Sequence, residues 1–586
     1  MKGGRLQLER KHEDYFTKKI FRKQFVPAII SACGLAFGDM MDGIVVGQRM
    51  GVTGLAAISL ALPSFMVMNV LMHGLGLGGA IRFSGLMAKG KKEEGIRGFQ
   101  GILSAALIIS ALLSIGANLF MTPLLALLGT TEADGALFAV SRTYLQIILS
   151  GMPLFFTAYV MNYFLRNDDS EKLAGFGFTV GNLSDIVLNV VFVLLLDGGA
   201  AGAAWATLAG QLISICVYLP GFSGKTHSLR LLPFCPDSKG SLSCFKAGFA
   251  SSSQYLFSMV FLLCANRVLL RSMGSVGVAV FDVVQNVSFL IIYLYDGAVK
   301  AAQPLLSTYC GEHNRPGRRC TMRLALSRGL TAGGMVALVT ACFPQSICLV
   351  FGITDSKALR TGAYALRVYC VSALLAGVCI LLEGCYQACG EEKKAYLITI
   401  LRGAAVLLPV TLLFSAWGGR FFWWLYPVTE VLTLLIFAGY CRYTAGRQEE
   451  SEEGRVYTAT IHNKYEELSS LLSEIESFCK RWEAAAKQIY FVTMTVEELC
   501  AAIMQNGFGE TDGYIQITLV AEAGGAFSLH IRDNAVSFNP FSLYTSRLGG
   551  DEKVNPDALG ILVIREKAEE FFYRRYQGFN TLVVRI

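Results

Sequence analysis

A few acids and one amide, set inside otherwise apolar stretches, carry the chemistry this chain is equipped to do. In NLSDIVLNVVFVLLL, Asp185 and Asn189 stand four residues apart, a spacing that stacks both side chains on one face of a helix. A carboxylate near the centre of a hydrocarbon layer costs about 3 kcal/mol on insertion scales, so it faces water, a partner charge or an ion. In FGDMMDGIVVGQRMG, Asp39 and Asp42 lie three residues apart on nearly the same face. Two carboxylates that close repel when both are ionised, so one is expected to hold a proton, as proton coupling requires. Glu383, in CILLEGCYQ, has no oppositely charged neighbour along its own helix, whereas Asp296 has Lys300 four residues on. Glu383 is therefore the second-half candidate for contact with a cationic substrate or a proton. His73, also inside an apolar run, reads as a packed neutral imidazole before a proton carrier.

These residues need a membrane-spanning scaffold. Of 586 residues 53% are hydrophobic and only 16% charged, against about a quarter in soluble chains. Apolar runs long enough to cross a bilayer lie near 25–46, 55–80, 99–121, 137–163, 176–196, 200–219, 245–270, 277–307, 325–350, 363–388, 395–415 and 421–440. The expected fold is an all-α polytopic membrane protein of about twelve helices, followed by a small α+β domain. Lys18, Lys19, Arg22 and Lys23 precede the first run, Lys89, Lys91, Lys92 and Arg97 follow the second, and Arg315, Arg318, Arg319 and Arg323 follow the eighth. That pattern predicts cytoplasmic termini. It also assigns the net charge of +7 to membrane orientation, with no nucleic-acid partner. The sixteen cysteines are scattered without ligand spacing and predict neither a disulfide framework nor a metal site. No removable signal peptide is expected before Phe25.

The segments AKGKKEEG and YCGEHNRPG, and likewise DDSEKLA and CGEEKKAY, recur about 220 residues apart in the same direction. Equal offsets imply two parallel six-helix lobes with a cavity between them. The expected organisation is a basic N-terminus (1–24), a first lobe (25–220), an inter-lobe loop (221–244), a second lobe (245–440), a charged linker (441–454) and an appended domain (455–586).

The segment GAAGAAWAT, after an apolar span with a polar i,i+4 pair, resembles the junction between the fifth and sixth spans of multidrug and toxic compound extrusion (MATE) transporters. In that family the pair is usually Asn then Asp; here the order is reversed. Asp42 matches the acid of the family's first span. The resemblance implies that Asp42, Asp185 and Asn189 bind a coupling ion, H+ or Na+, and that Tyr144, Asn162 and Thr207 line the cavity of the first lobe. It implies a secondary-active antiporter in a bacterial-type plasma membrane, exporting a small, cationic, amphipathic xenobiotic.

The appended domain resembles GHKL ATPases of the anti-sigma-factor serine kinase type, through VEELCAAIMQNGF, IRDNAVSFNP and ALGILVIREKAEE. By that match Glu498 is the general base, Asp533 accepts from the adenine amino group, and Gly560 opens a helix facing phosphate. Ala502 replaces the magnesium-binding Asn, Ala535 the Gly after Asp-Asn, and Ala558 a Gly of the third box. These departures favour a regulatory module that recruits a cytoplasmic protein over an active kinase. Two alternatives follow: a membrane-anchored sensor acting through the appended domain, and a lipid-linked precursor flippase of the same superfamily.

Overall fold

The computed structural model describes residues 15–88, 92–166, 170–222, 229–230, 238–312, 314–417, 419–448, 455–508, 513–522, 525–536, 538–541, 556–576 and 579–586. Two helices, Tyr15–Ala88 and Ser238–Gly311, run 74 residues each, far beyond the ~20 that one crossing needs. Each breaks at a glycine of positive φ, Gly51 (φ 58°, ψ −141°) and Gly274 (φ 66°, ψ −158°), where a side chain would be strained. The breaks divide them into spans 1 (15–50) and 2 (52–88), and spans 7 (238–273) and 8 (275–311).

Span 3 is Lys92–Leu119, and span 4 is the pair Ala136–Ser150 and Met152–Arg166, bent by 48°. Span 5 is Glu171–Asn189 continued by a wide π turn, Val190–Leu195, and span 6 is Gly199–Tyr218. Spans 9 and 10 are Arg315–Cys342 and Ser356–Ala388. Span 11 runs from Glu392 to Trp417 through a second π turn, Leu401–Ala405, and span 12 is Leu425–Gln448. The described residues thus give twelve crossings in two lobes that repeat the same glycine break and the same π turn.

The first lobe packs around Phe99, Phe156, Phe164 and Leu145, the second around Phe281, Tyr295, Tyr369 and Trp423. Leu112, Ile115, Leu119, Leu412 and Leu435 face outward. Apolar belts of that kind suit a lipid surface.

The appended domain holds β1 (Val456–His462), α1 (Tyr465–Arg481), α2 (Ala486–Ile503), β2 (Tyr514–Ala521), β3 (Phe527–Asp533), α3 (Pro556–Lys567), β4 (Glu570–Tyr576) and β5 (Phe579–Arg585). Its antiparallel sheet has the order β1-β2-β3-β5-β4. The last helix stops at Lys567, and EFFYRRY, though it continues a charged helical pattern, forms strand β4. Phe571 and Tyr573 there stand opposite Val584 and Leu582 of β5, cross-strand pairs of the kind that stabilise a sheet.

One sheet face carries Leu529 and Ile531 against Val496, Ile503 and Ile564 of the helices. The other docks on the spans. Arg532 donates from Nη2 to Glu312 Oε1 (2.8 Å) at the end of span 8, and from Nη1 to Gln516 Oε1 (2.9 Å). Its guanidinium lies 5.3 Å from the Tyr309 ring centroid. Burial pulls the Arg532 group down, but Glu312 and then Tyr309 outweigh that, and it is held above its ordinary value. At the start of span 1, Tyr15 stacks on Tyr514 at 4.1 Å and Phe16 meets Phe579 edge-on at 5.7 Å. Thr17 hydrogen-bonds the Tyr309 hydroxyl (2.8 Å), tying span 1 to span 8 beneath the sheet.

Candidate functional site

Asp42 comes from span 1, Asp185 and Asn189 from span 5, and Thr207 from span 6. The Asn189 amide nitrogen donates to Asp42 Oδ1 at 2.6 Å, to Asp185 Oδ1 at 3.0 Å and to the Asp185 carbonyl at 3.2 Å. Thr207 Oγ1 lies 3.5 Å from Asp42 Oδ2 and 3.1 Å from the Ala203 carbonyl. Asn189 is 0% exposed. The π turn begins at the next residue, and such insertions recur at functional sites. Two carboxylates on one buried amide repel each other unless a proton or a cation joins them.

Tyr144, 2% exposed, lies within electrostatic reach of Asp42, Asp185 and, from the second lobe, Asp282. Asn162 is placed differently. Its amide donates to the Ala174 carbonyl (3.0 Å) and to the Tyr218 hydroxyl (2.9 Å), joining spans 4, 5 and 6 near their ends as a packing group. The Asp39 side chain lies outside the described residues.

Glu383, which lacks a partner along its own helix, finds one across the bundle: Thr399 of span 11 donates to Oε1 at 2.6 Å. Beside it stands a pair the sequence reading missed. Arg402, in the π turn of span 11, donates to both Glu430 carboxylate oxygens at 2.9–3.1 Å. The available signal was a charge inside each apolar run, since buried charges of this kind are paired. Asp296 and Lys300 pair locally at 2.6 Å, as their spacing predicts. His73 Nδ1 faces the Asn69 carbonyl at 3.0 Å and must be the donor there, so the neutral ring accepts the Tyr255 hydroxyl (3.0 Å) at Nε2, joining span 2 to span 7.

In the appended domain Asp533 is buried at the end of β3, where Oδ1 accepts from the Ala535 amide (2.9 Å) and from Asn580 Nδ2 (2.7 Å). Gly560 lies inside α3, a turn past its start, and therefore does not open that helix. Its backbone packs on the Glu498 carboxylate, and a side chain there would collide with it. The Ala502 methyl is buried and offers no oxygen to magnesium. A methyl on Gly507 would lie 2.9 Å from the Ala535 methyl, so this wall of the cleft is filled by carbon. The Ala558 side chain lies outside the described residues. These residues do not fit a magnesium–nucleotide complex, and no phosphoryl-transfer step follows from them.

Twelve crossings in two lobes, with carboxylates gathered on a buried amide, define a polytopic transporter. The chain belongs to the MatE family, whose model matches residues 27–191 and 247–413; a model described as a histidine kinase-like ATPase domain matches 461–586. The probable multidrug resistance protein YoeA of Bacillus subtilis is 23% identical over 440 residues, covering 71% of this chain and 92% of that protein. Among solved structures, a multidrug resistance MATE family transporter of the MOP superfamily in its inward-facing conformation aligns with a TM-score of 0.60 at 22% identity, over 71% of this chain and 96% of that one. The MATE multidrug transporter DinF-BH, solved as a complex, aligns with a TM-score of 0.58 at 26% identity, over 72% of this chain and 95% of that one.

Proposed function

We propose that the protein is a secondary-active exporter of a bacterial-type plasma membrane, with both termini cytoplasmic, exchanging H+ or Na+ for a small, cationic, amphipathic xenobiotic. The observation that carries this reading is the convergence of Asp42 and Asp185 on the Asn189 amide. A cation arriving there relieves the repulsion between the carboxylates and draws span 1 toward span 5. An organic cation suits a cavity offering acids and aromatic faces. The relatives named above, multidrug transporters by name, support the substrate class. A flippase for anionic lipid headgroups would want cationic groups turned to its cavity, whereas the buried Arg402 is engaged by Glu430.

The appended domain is a regulator in this reading. It grips span 1 of one lobe and span 8 of the other, so its docked state resists relative motion of their cytoplasmic ends, and a protein binding its helical face is positioned to shift that balance.

The test is efflux of a fluorescent organic cation from proteoliposomes under imposed proton or sodium gradients, comparing wild type with Asp185→Asn. Gradient-driven flux lost in the variant supports the reading. Folded wild-type protein that moves no member of a cation panel under either gradient overturns it in favour of a membrane-anchored sensor.

A further inference from the structure

The carboxylate–amide pair of span 5 has a counterpart that the transport site does not use. In span 8, Asp282 and Asn286 are again four residues apart, and Asn286 Nδ2 donates to Asp282 Oδ2 at 3.0 Å and to the Asp282 carbonyl at 2.9 Å. This is the geometry of Asp185 and Asn189, built on the other lobe. Asp282 is 1% exposed, and among the described residues no Lys or Arg pairs with it.

The two pairs meet at one turn of span 1. Asp42 accepts from Asn189. At the next residue, a methyl built on Gly43 would lie 3.2 Å from Asn286 Nδ2, 3.2 Å from the Phe351 ring and 3.4 Å from Asp282 Oδ2. Glycine at 43 is thus what lets the second pair press against the span 1 backbone. One turn further on, Gln48 Nε2 donates to the Leu349 and Val350 carbonyls at 2.9 and 2.6 Å, closing the seam between the lobes. The titratable groups around Asp282 are Tyr144 of span 4, within its electrostatic reach, and Asp42 and Asp185, which act on the same tyrosine.

We propose that Asp282, held by Asn286, is a second proton site of the transport cycle, placed in the second lobe on the flank of span 1 that adjoins Asp42. A carboxylate this deep in an apolar seam is stable when it carries a proton, and costly when it does not. A proton suits the surroundings better than a metal cation, because a hard cation gathers several oxygens and the Asp282 carboxylate is faced by the Asn286 amide N–H. Deprotonation puts charge against the span 1 backbone beside the seam held by Gln48 and favours opening there; reprotonation favours closure.

The inference rests on the antiport reading, so the experiment carries its own control. The full chain is reconstituted in proteoliposomes under a proton gradient with a fluorescent organic cation. In parallel, detergent-solubilised protein in weakly buffered solution with a pH dye reports protons released when the cation binds. Asp282→Asn, nearly the same shape, is expected to bind the cation, release fewer protons and lose gradient-driven efflux at least about tenfold, as loss of an ionisable group on a proton path does. Asp282→Glu is expected to recover part of both. Wild-type proton release and wild-type efflux in Asp282→Asn overturn the inference alone. Absence of wild-type efflux under the proton gradient overturns the inference, and absence under an imposed sodium gradient as well overturns the antiport reading with it. Should Asp282→Asn not fold, Asn286→Ala decides: a moved pH midpoint of efflux supports the site, and an unmoved one overturns it.

Discussion

At its π turn the first lobe gathers two half-buried carboxylates around an amide and a hydroxyl, Asn189 and Thr207, whereas at the matching turn of the second lobe the buried acid Glu430 faces a guanidinium. Both arrangements sit at a π turn of equivalent spans, 5 and 11, so the backbone offers the same opening twice. The side chains use it differently. Arg402 and Glu430 neutralise each other through a bidentate contact and leave little for a mobile ion to gain. Asp42 and Asp185 share one amide, an arrangement that a proton or cation completes. The same π turn therefore holds a fixed brace in the second lobe and a candidate exchange site in the first.

Substitutions can break or sharpen this contrast. Asn189→Ala is expected to have the largest effect, because it removes the donor both carboxylates share. Two hydrogen bonds to charged groups amount to about 3 kcal/mol, so gradient-driven efflux in proteoliposomes should fall about 100-fold. Efflux near the wild-type rate would dissolve the contrast between the lobes. In the second lobe, Arg402→Met should destabilise the solubilised protein by about 3 kcal/mol, since Glu430 is left buried and alone, while Arg402→Met with Glu430→Leu should recover most of that. Thermal unfolding with and without the second substitution measures it; a double variant no better than the single one would show that the pair is more than a brace.

A smaller effect is expected where the domain meets the spans. Arg532→Met removes the partner of Glu312 and should weaken docking by about 2 kcal/mol, read as faster hydrogen exchange in β2 around Gln516 and Thr518. Unchanged exchange would place the holding force in the Tyr15–Tyr514 and Phe16–Phe579 contacts instead. The smallest concerns the exposed ion pair of Arg49 and Asp197. Its hydrogen bond to Arg49 holds the Asp197 carboxyl below the ordinary value. Whatever the pair contributes is thus present at neutral pH and lost as pH falls through that lowered value. Asp197→Asn should leave thermal stability at neutral pH unchanged, because exposed pairs are screened.

The crossings were legible because apolar length reports them directly, and Asp185 with Asn189 because four residues is one helical turn. Asp42 could be marked as an intramembrane acid, but the contact it makes 147 positions along the chain is a fact of packing. Asn162 shows the converse. Its place in a span fitted a cavity position, yet its amide is consumed by Ala174 and Tyr218. Glu383 looked isolated because only its own helix was in view, and Thr399 lies on another. Strand β4 was hidden because EKAEEFFYRRY continues a charged helical pattern, and only pairing with β5 makes those aromatic residues extended.

The sequence by itself determined the class of protein: apolar runs of bilayer length and an appended domain of ATPase-like sequence. Local spacing and composition suffice for that, since hydrophobic length and helical period act along the chain. Tertiary structure decided which carboxylates share an amide, which acid an arginine neutralises, and which sheet face is spent on docking. Those outcomes depend on side chains brought together from different spans, where burial favours partnered polar groups and only the packed lobes determine which partner is within reach.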